Sequence, residues 1–180
     1  MFSLLIRHLY EMTLEEFKIN IYPVKDKIFR FAKRILNNQS EAEDIVQEIF
    51  LKLWKLNSEI QILKNPEAFA MKMTKNLCLD RIKMKKEFTP DYKFDSSNIT
   101  GEHDFEKKDM YNKIHEIIQT LPEQQKMIIQ LRDIEGFTYD EIENIMMMNR
   151  NALRANLCRA RAKIREKLLK LQQYEERIHY

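Results

Sequence analysis

Apolar residues recur at helical spacing along most of the chain, and no strand-like alternation of period two rises above noise. In EAEDIVQEIFLKLWKL, positions Ala42, Ile45, Val46, Ile49, Phe50, Leu53 and Trp54 follow the i, i+3, i+4, i+7 rule and predict one core-facing stripe. Opposite it lie Asp44, Gln47, Glu48, Leu51 and Lys55. In NPEAFAMKMTKNLCLDRIKMKK, a helical wheel gathers Lys72, Lys75, Asn76, Leu79, Lys83 and Lys86 on one edge. The same wheel puts Phe69, Ala70, Met73, Leu77 and Met84 on the core side. Near the end, Leu153, Leu157, Ala160, Ile164, Leu168 and Leu171 form another stripe.

Helices are therefore expected near 14–37, 41–56, 66–86, 106–119, 122–134, 138–146 and 150–171. Their starts are marked by the capping-box pairs Ser40–Glu43, Thr120–Glu123 and Thr138–Glu141. Asn65 followed by Pro66 adds a cap with proline at the first helical position. Residues 87–105, EFTPDYKFDSSNITGEHDF, have no helical period and carry Pro90, Ser96, Ser97 and Gly101; they read as a linker. The expectation is an all-α chain of two small helical domains, 14–86 and 106–171. A flexible linker (87–105) joins them, an N-terminal extension (1–13) precedes them and a tail (172–180) follows.

Composition agrees with helices. Turn-rich β folds need glycine and proline, and the chain has two glycines and four prolines. Cys78 and Cys158 lack the spacing of a metal or redox motif and point to a reducing cytosol. His8, His103, His115 and His179 show no ligand spacing, so no metal and no cofactor is expected. MFSLLIRHLY is apolar but far short of the ~20 residues a membrane helix needs, and it lacks a signal-peptide cleavage pattern. The chain is expected to be cytoplasmic, with no insertion into a membrane.

The net charge of +3 is modest, but it is unevenly spread. Residues 72–86 hold six positive side chains against one negative, and residues 150–167 hold seven against one. Such runs are most often solvated faces, so their setting has to decide. LPEQQKMIIQLRDIEGFTYDEIENIMMMNRNALRANLCRARAKIR reads as helix, bend at Gly136, short capped helix, three-residue turn and long basic helix. That is the helix-turn-helix order. Away from the last apolar stripe stand Asn151, Ala155 and Arg159, flanked by Arg154 and Asn156. Small residues at the outward apex let a backbone approach DNA while arginine and asparagine reach phosphates and base edges. Leu51, alone on a polar face, reads either as an incidental exposed leucine or as a contact for a basic, partly apolar protein. Asp80 and Arg81 read either as a structural pair or as DNA contacts.

In this order, the segments resemble the extracytoplasmic-function group of the sigma-70 family over roughly residues 14–170. SEAEDIVQEIFLKLW resembles the core-binding part of region 2, and NPEAFAMKMTKNLCLDRIKMKK resembles the part that recognises and melts the −10 element. LPEQQKMIIQLRDIEGFTYDEI with NLCRARAKIREKL resembles region 4, the −35 reader. The resemblance implies core RNA polymerase and promoter DNA as partners, admits an anti-sigma factor, and implies no small-molecule substrate. It assigns Asp44, Gln47, Glu48, Leu51 and Lys55 to the polymerase. Lys72, Lys75, Asn76, Lys83 and Lys86 would go to the −10 strand, and NSEIQILKN (57–65) to a flipped −10 base. Thr138, Tyr139, Arg150, Asn151, Arg154, Ala155, Asn156 and Arg159 would go to the −35 groove.

Three positions depart from the family pattern. Met147 stands where glycine is usual, which costs on the order of 1 kcal/mol if that residue needs φ > 0; Asn149 is the alternative site for the turn. Glu143 replaces a small residue, and Asn156 an arginine. Met12 heads a family-like beginning, MTLEEF, and is a candidate start. A stand-alone helix-turn-helix regulator and a helical adaptor are the competing classes. No phosphate loop, carboxylate–histidine cluster or activated-cysteine pattern points to an enzyme.

Overall fold

The computed structural model of the chain describes residues 13–56, 65–88 and 105–178, and every regular element among them is helical. The N-terminal extension up to Met12, the loop 57–64 and the linker residues 89–104 lie outside the described residues. The chain divides into two compact units whose main boundary falls between Lys93 and Phe94.

In the first unit, Thr13 opens α1 (Leu14–Asn20) with a capping box to Glu16. The single helix expected over 14–37 is interrupted at Pro23, which lacks an N–H and holds its φ near one value. A 3-10 turn, Tyr22–Val24, intervenes before α2 (Lys25–Leu36). Asn37 then takes a left-handed conformation at φ 51, which asparagine tolerates better than most residues. Asn38, extended, caps α3 (Gln39–Lys55) by accepting from Glu41 N at 3.0 Å. Ser40, the expected cap, thus lies inside the first turn. Asn65 caps α4 (Pro66–Phe88) as expected, accepting from Ala68 N at 2.8 Å.

α2 packs on both α3 and α4. Ile28, Phe31 and Ile35 join Ala42, Ile45, Ile49 and Leu53 of α3 and Met71, Cys78 and Ile82 of α4 in the core. Each large apolar side chain so buried contributes about 1.5–3 kcal/mol.

The second unit begins with α5 (Phe105–Gln119). Thr120, expected to cap the next helix, instead donates its hydroxyl to Ile117 O at 2.7 Å and closes α5. α6 (Glu123–Ile129) starts after Pro122 without a side-chain cap and runs into a π turn, Gln130–Ile134. Buried Gln130 donates Nε2 to buried Glu135 Oε1 at 2.8 Å across that turn. Gly136, at φ +79, makes the bend where a side chain would be strained.

The expected capping box then opens α7 (Tyr139–Met146): Glu141 N donates to Thr138 Oγ1 at 3.3 Å, and Thr138 N to Glu141 Oε2 at 2.7 Å. Met147 carries the left-handed turn itself, at φ 55 and ψ 47. Asn149 is the cap of α8 (Arg150–Ile178), accepting from Ala152 N at 2.8 Å. α8 packs on α5 and α6 through buried Leu153, Leu157 and Ala160. Its helix continues to Ile178, past the end expected at 171. There the apolar stripe opens to solvent, with Leu171 37% exposed. Among the described residues no helix is long and apolar enough to cross a membrane.

Candidate polymerase and nucleic-acid interfaces

The outer face of α3 carries the residues grouped there from the sequence. Asp44, Gln47 and Lys55 are exposed, and Leu51 is 61% exposed. Glu48 is half-buried and already occupied. It pairs with Lys52 at 2.8 Å and Arg81 at 3.4 Å, and its carboxyl is held below the usual value chiefly by the Lys52 hydrogen bond. Trp54, expected in the core, is 42% exposed. Its ring meets Phe17 edge-on at 5.2 Å, and Phe17 and Tyr22 in turn meet Phe50 at 5.8 and 6.2 Å. This surface aromatic cluster escaped the sequence pattern because the residues of α1 and the 3-10 turn that hold it lie some thirty positions away. Beside it, a shallow groove of about 480 Å³ is lined by Lys25, Asp26, Phe29, Glu43, Val46 and Gln47. The face thus offers two exposed apolar side chains, one turn apart, inside a rim of acidic, amide and lysine side chains.

α4 is rotated relative to expectation. Its buried residues are Ala68, Ala70, Met71, Thr74, Lys75, Cys78 and Ile82. Of the expected core side, Phe69, Met73 and Leu77 are half-buried and Met84 is 55% exposed; Ala70 alone is buried. The helix is apolar nearly all round, so periodicity marks no single stripe. Small or back-bonded polar residues decide the matter: the Thr74 hydroxyl is satisfied by Ala70 O at 2.8 Å, and Cys78 behaves as a small hydrophobe.

Within the expected basic edge, Asn76 and Lys83 are exposed and Lys72 is half-buried. Lys75 departs from that edge. It is 7% exposed, and its ammonium is pushed below the usual lysine range by burial first and by Lys72 second. The Lys86 side chain lies outside the described residues. Arg81 and Lys85 tie α4 to α3, through Glu48 and, at 2.5 Å, Glu41. Arg81 is paired with Glu48 of α3 rather than with its neighbour Asp80.

On the helix-turn-helix, Asn151, Arg154 and Arg159 are exposed, and Ala155 is half-buried between them. Asn156 folds back, donating Nδ2 to Ala152 O at 2.9 Å. Thr138 is exposed but committed to its cap. Half-buried Tyr139 has the guanidinium groups of Arg132, Arg150 and Arg154 over its ring at 4.8, 5.6 and 5.6 Å. Arg150, placed with the groove-facing residues from the sequence, is instead engaged inside the motif. Its Nη2 donates to Glu143 Oε2 at 2.8 Å and to Asp140 Oδ1. The pair lowers the Glu143 carboxyl and raises the Arg150 guanidinium, each chiefly through their mutual hydrogen bond. Glu143, unexpected at this crossing, therefore has its counter-charge supplied by Arg150. Arg161 is held by Asp133 at 2.5 and 3.0 Å.

The family described as Sigma-70 region 2 matches residues 23–88, and that described as Sigma-70, region 4 matches residues 111–164. The RNA polymerase sigma factor SigV of Bacillus subtilis (strain 168) is 31% identical over 153 residues, covering 81% of this chain and 87% of that protein. The ECF RNA polymerase sigma factor SigW of the same strain is 27% identical over 166 residues, covering 83% and 86%. Among solved structures, the sigma factor RpoE in complex with the anti-sigma factor NepR from Bartonella quintana superposes with a TM-score of 0.74. It is 20% identical, and the match covers 86% of this chain and 98% of that one. CnrH in complex with the cytosolic domain of CnrY gives 0.63 at 15% identity, covering 87% and 89%. The chain belongs to the extracytoplasmic-function group of the sigma-70 family and is an RNA polymerase sigma factor that directs promoter recognition.

Proposed function

We propose that this sigma factor divides its work among three surfaces. The outer face of α3, with Asp44, Gln47, Glu48, Leu51 and Lys55, docks on core polymerase. The outward edge of α4, with Lys72, Asn76 and Lys83, holds the −10 strand. The start of α8, with Asn151, Arg154, Ala155 and Arg159, reads the −35 groove. The observation that carries this reading is one exposed surface of basic and amide side chains on each of two separate units. Exposed lysine beside asparagine suits phosphates with base edges between them, and the small Ala155 at the centre of α8 suits close backbone approach.

The protein carries out no catalytic step of its own. It favours open promoter by capturing bases that are exposed only when the strands part, a shift of population rather than an input of energy. It works in the cytoplasm, where polymerase and promoter are. The two structural likenesses are complexes with an anti-sigma factor or a partner's cytosolic domain. A partner of that kind here would compete for the same surfaces.

In vitro transcription on a genomic fragment library, with core polymerase from the source bacterium, tests the reading. Arg154→Ala should lower promoter-specific initiation while core affinity is unchanged. Loss of core affinity in that variant would refute the division of labour.

A further inference from the structure

We propose that Tyr139, Glu143 and Arg150 form a positioning set for the −35 reader, and that Arg150 is held inside this set rather than touching DNA. The proposal rests on the −35 reading of α8 and adds a mechanism to it. Arg150 is the first residue of α8, where a groove contact would be expected. Yet its Nη2 is shared by Glu143 and Asp140, and its Nε is buried with no hydrogen-bond partner. To meet a phosphate it would have to leave both carboxylates, and the phosphate would have to settle beside two anions. Glu143 and Asp140 lie on α7, so the pairing fastens the two helices of the motif where a small residue would otherwise let them approach.

The Tyr139 ring is the second half of the set. Arg132, in the π turn after α6, stacks on it at 4.8 Å while donating Nη1 to Phe137 O at 2.7 Å, which holds the ring from that side. Arg150 and Arg154 share the ring at 5.6 Å each. Arg154 is exposed and one turn further along α8. A long arginine free in solvent samples many rotamers and loses that freedom on binding; one resting on an aromatic face is already ordered. Glu143 and Arg150 hold the ring's helix in place, and the ring aims Arg154.

The test uses the full chain assembled with core polymerase on a promoter recovered from the fragment library. Promoter affinity is measured across a salt series, and discrimination against −35 base substitutions is measured alongside. Arg150→Ala should weaken binding several-fold without changing the salt slope, whereas loss of a phosphate contact lowers that slope by about 0.9. Tyr139→Leu should relax −35 discrimination about fivefold or more, with core affinity and melting temperature unchanged; Tyr139→Phe should behave as the parent. Arg150→Glu should be rescued by Glu143→Arg. A slope reduced by about one in Arg150→Ala overturns the proposal, as does a Tyr139→Phe defect equal to that of Tyr139→Leu, which would put the hydroxyl on the DNA. If Arg154→Ala and Arg159→Ala change neither discrimination nor slope, the −35 reading itself fails, and that result is distinct from the other two.

Discussion

Leu51 and Leu53 sit two positions apart on α3 and should respond oppositely to truncation. Leu53 is 0% exposed and Leu51 61% exposed. Leu53→Ala opens a cavity in the core of the first unit and should cost about 2–5 kcal/mol of unfolding free energy. Leu51→Ala removes little that is buried and should stay within about 0.5 kcal/mol of the parent. On polymerase the roles reverse. Burying a whole leucine is worth about 1.5–3 kcal/mol, so burying the exposed three-fifths of Leu51 is worth about 1–2 kcal/mol. That corresponds to roughly five- to thirtyfold in Kd. Urea unfolding reads the first quantity, and competition against the labelled parent for core polymerase reads the second. Leu51→Ala bound to core within twofold of the parent, or destabilised as much as Leu53→Ala, would show that the outer face of α3 is not the docking surface described.

Three further outcomes are expected. Met147, 71% exposed at φ 55, loses almost no packing when replaced; Met147→Gly should relieve left-handed strain and raise the urea midpoint by the equivalent of about 1 kcal/mol. Lys75→Met should stabilise the first unit by about 1 kcal/mol, because a largely buried lysine whose charge is disfavoured by desolvation gives way to an apolar side chain of similar length. The Lys75 pKa lies below its ordinary 10.5 in the folded chain, so between that lowered value and 10.5 the unfolded chain binds more protons. Parent stability should therefore rise with pH across that window, and Lys75→Met should lack that component of the rise. Cys78, buried with its thiol pushed up to about 12, should resist iodoacetamide in the native chain while exposed Cys158 labels; unfolding should release the second equivalent.

Where the sequence was legible, local physics was enough. Ala42, Ile45, Val46, Ile49 and Leu53 are buried on α3 as their spacing predicts, because polar residues fill the opposite face and leave one register. Thr138 with Glu141 and Asn65 with Pro66 cap as read, since those bonds close within three residues. Ser40 and Thr120 carry the same pattern but cap the start of no helix. Asn38 reaches the first turn of α3 before Ser40 can, and Thr120 finds the end of α5 nearer than the start of α6. A capping motif names residues able to cap, and backbone geometry chooses among competitors. On α4 the buried face differs from the one the spacing predicts, because apolar residues occur nearly all round the helix. Only packing against α2 and α3 selects Met71, Thr74, Cys78 and Ile82 and takes Lys75 inside with them.

The sequence alone thus determined the all-helical class, the order of most of the helices, two basic segments that fall in separate compact units, and the resemblance to the family. These depend on composition and on spacings of three and four residues, which the chain carries wherever it goes. Tertiary structure decided which face of α4 is outward, that Trp54 joins a surface aromatic cluster, and that Arg150 is bound by Glu143 and Asp140 over the Tyr139 ring. Each of these depends on the angle and distance at which one helix meets another. A charge can be counted in the sequence, but whether it is free to meet DNA is set by the carboxylate that packing brings beside it.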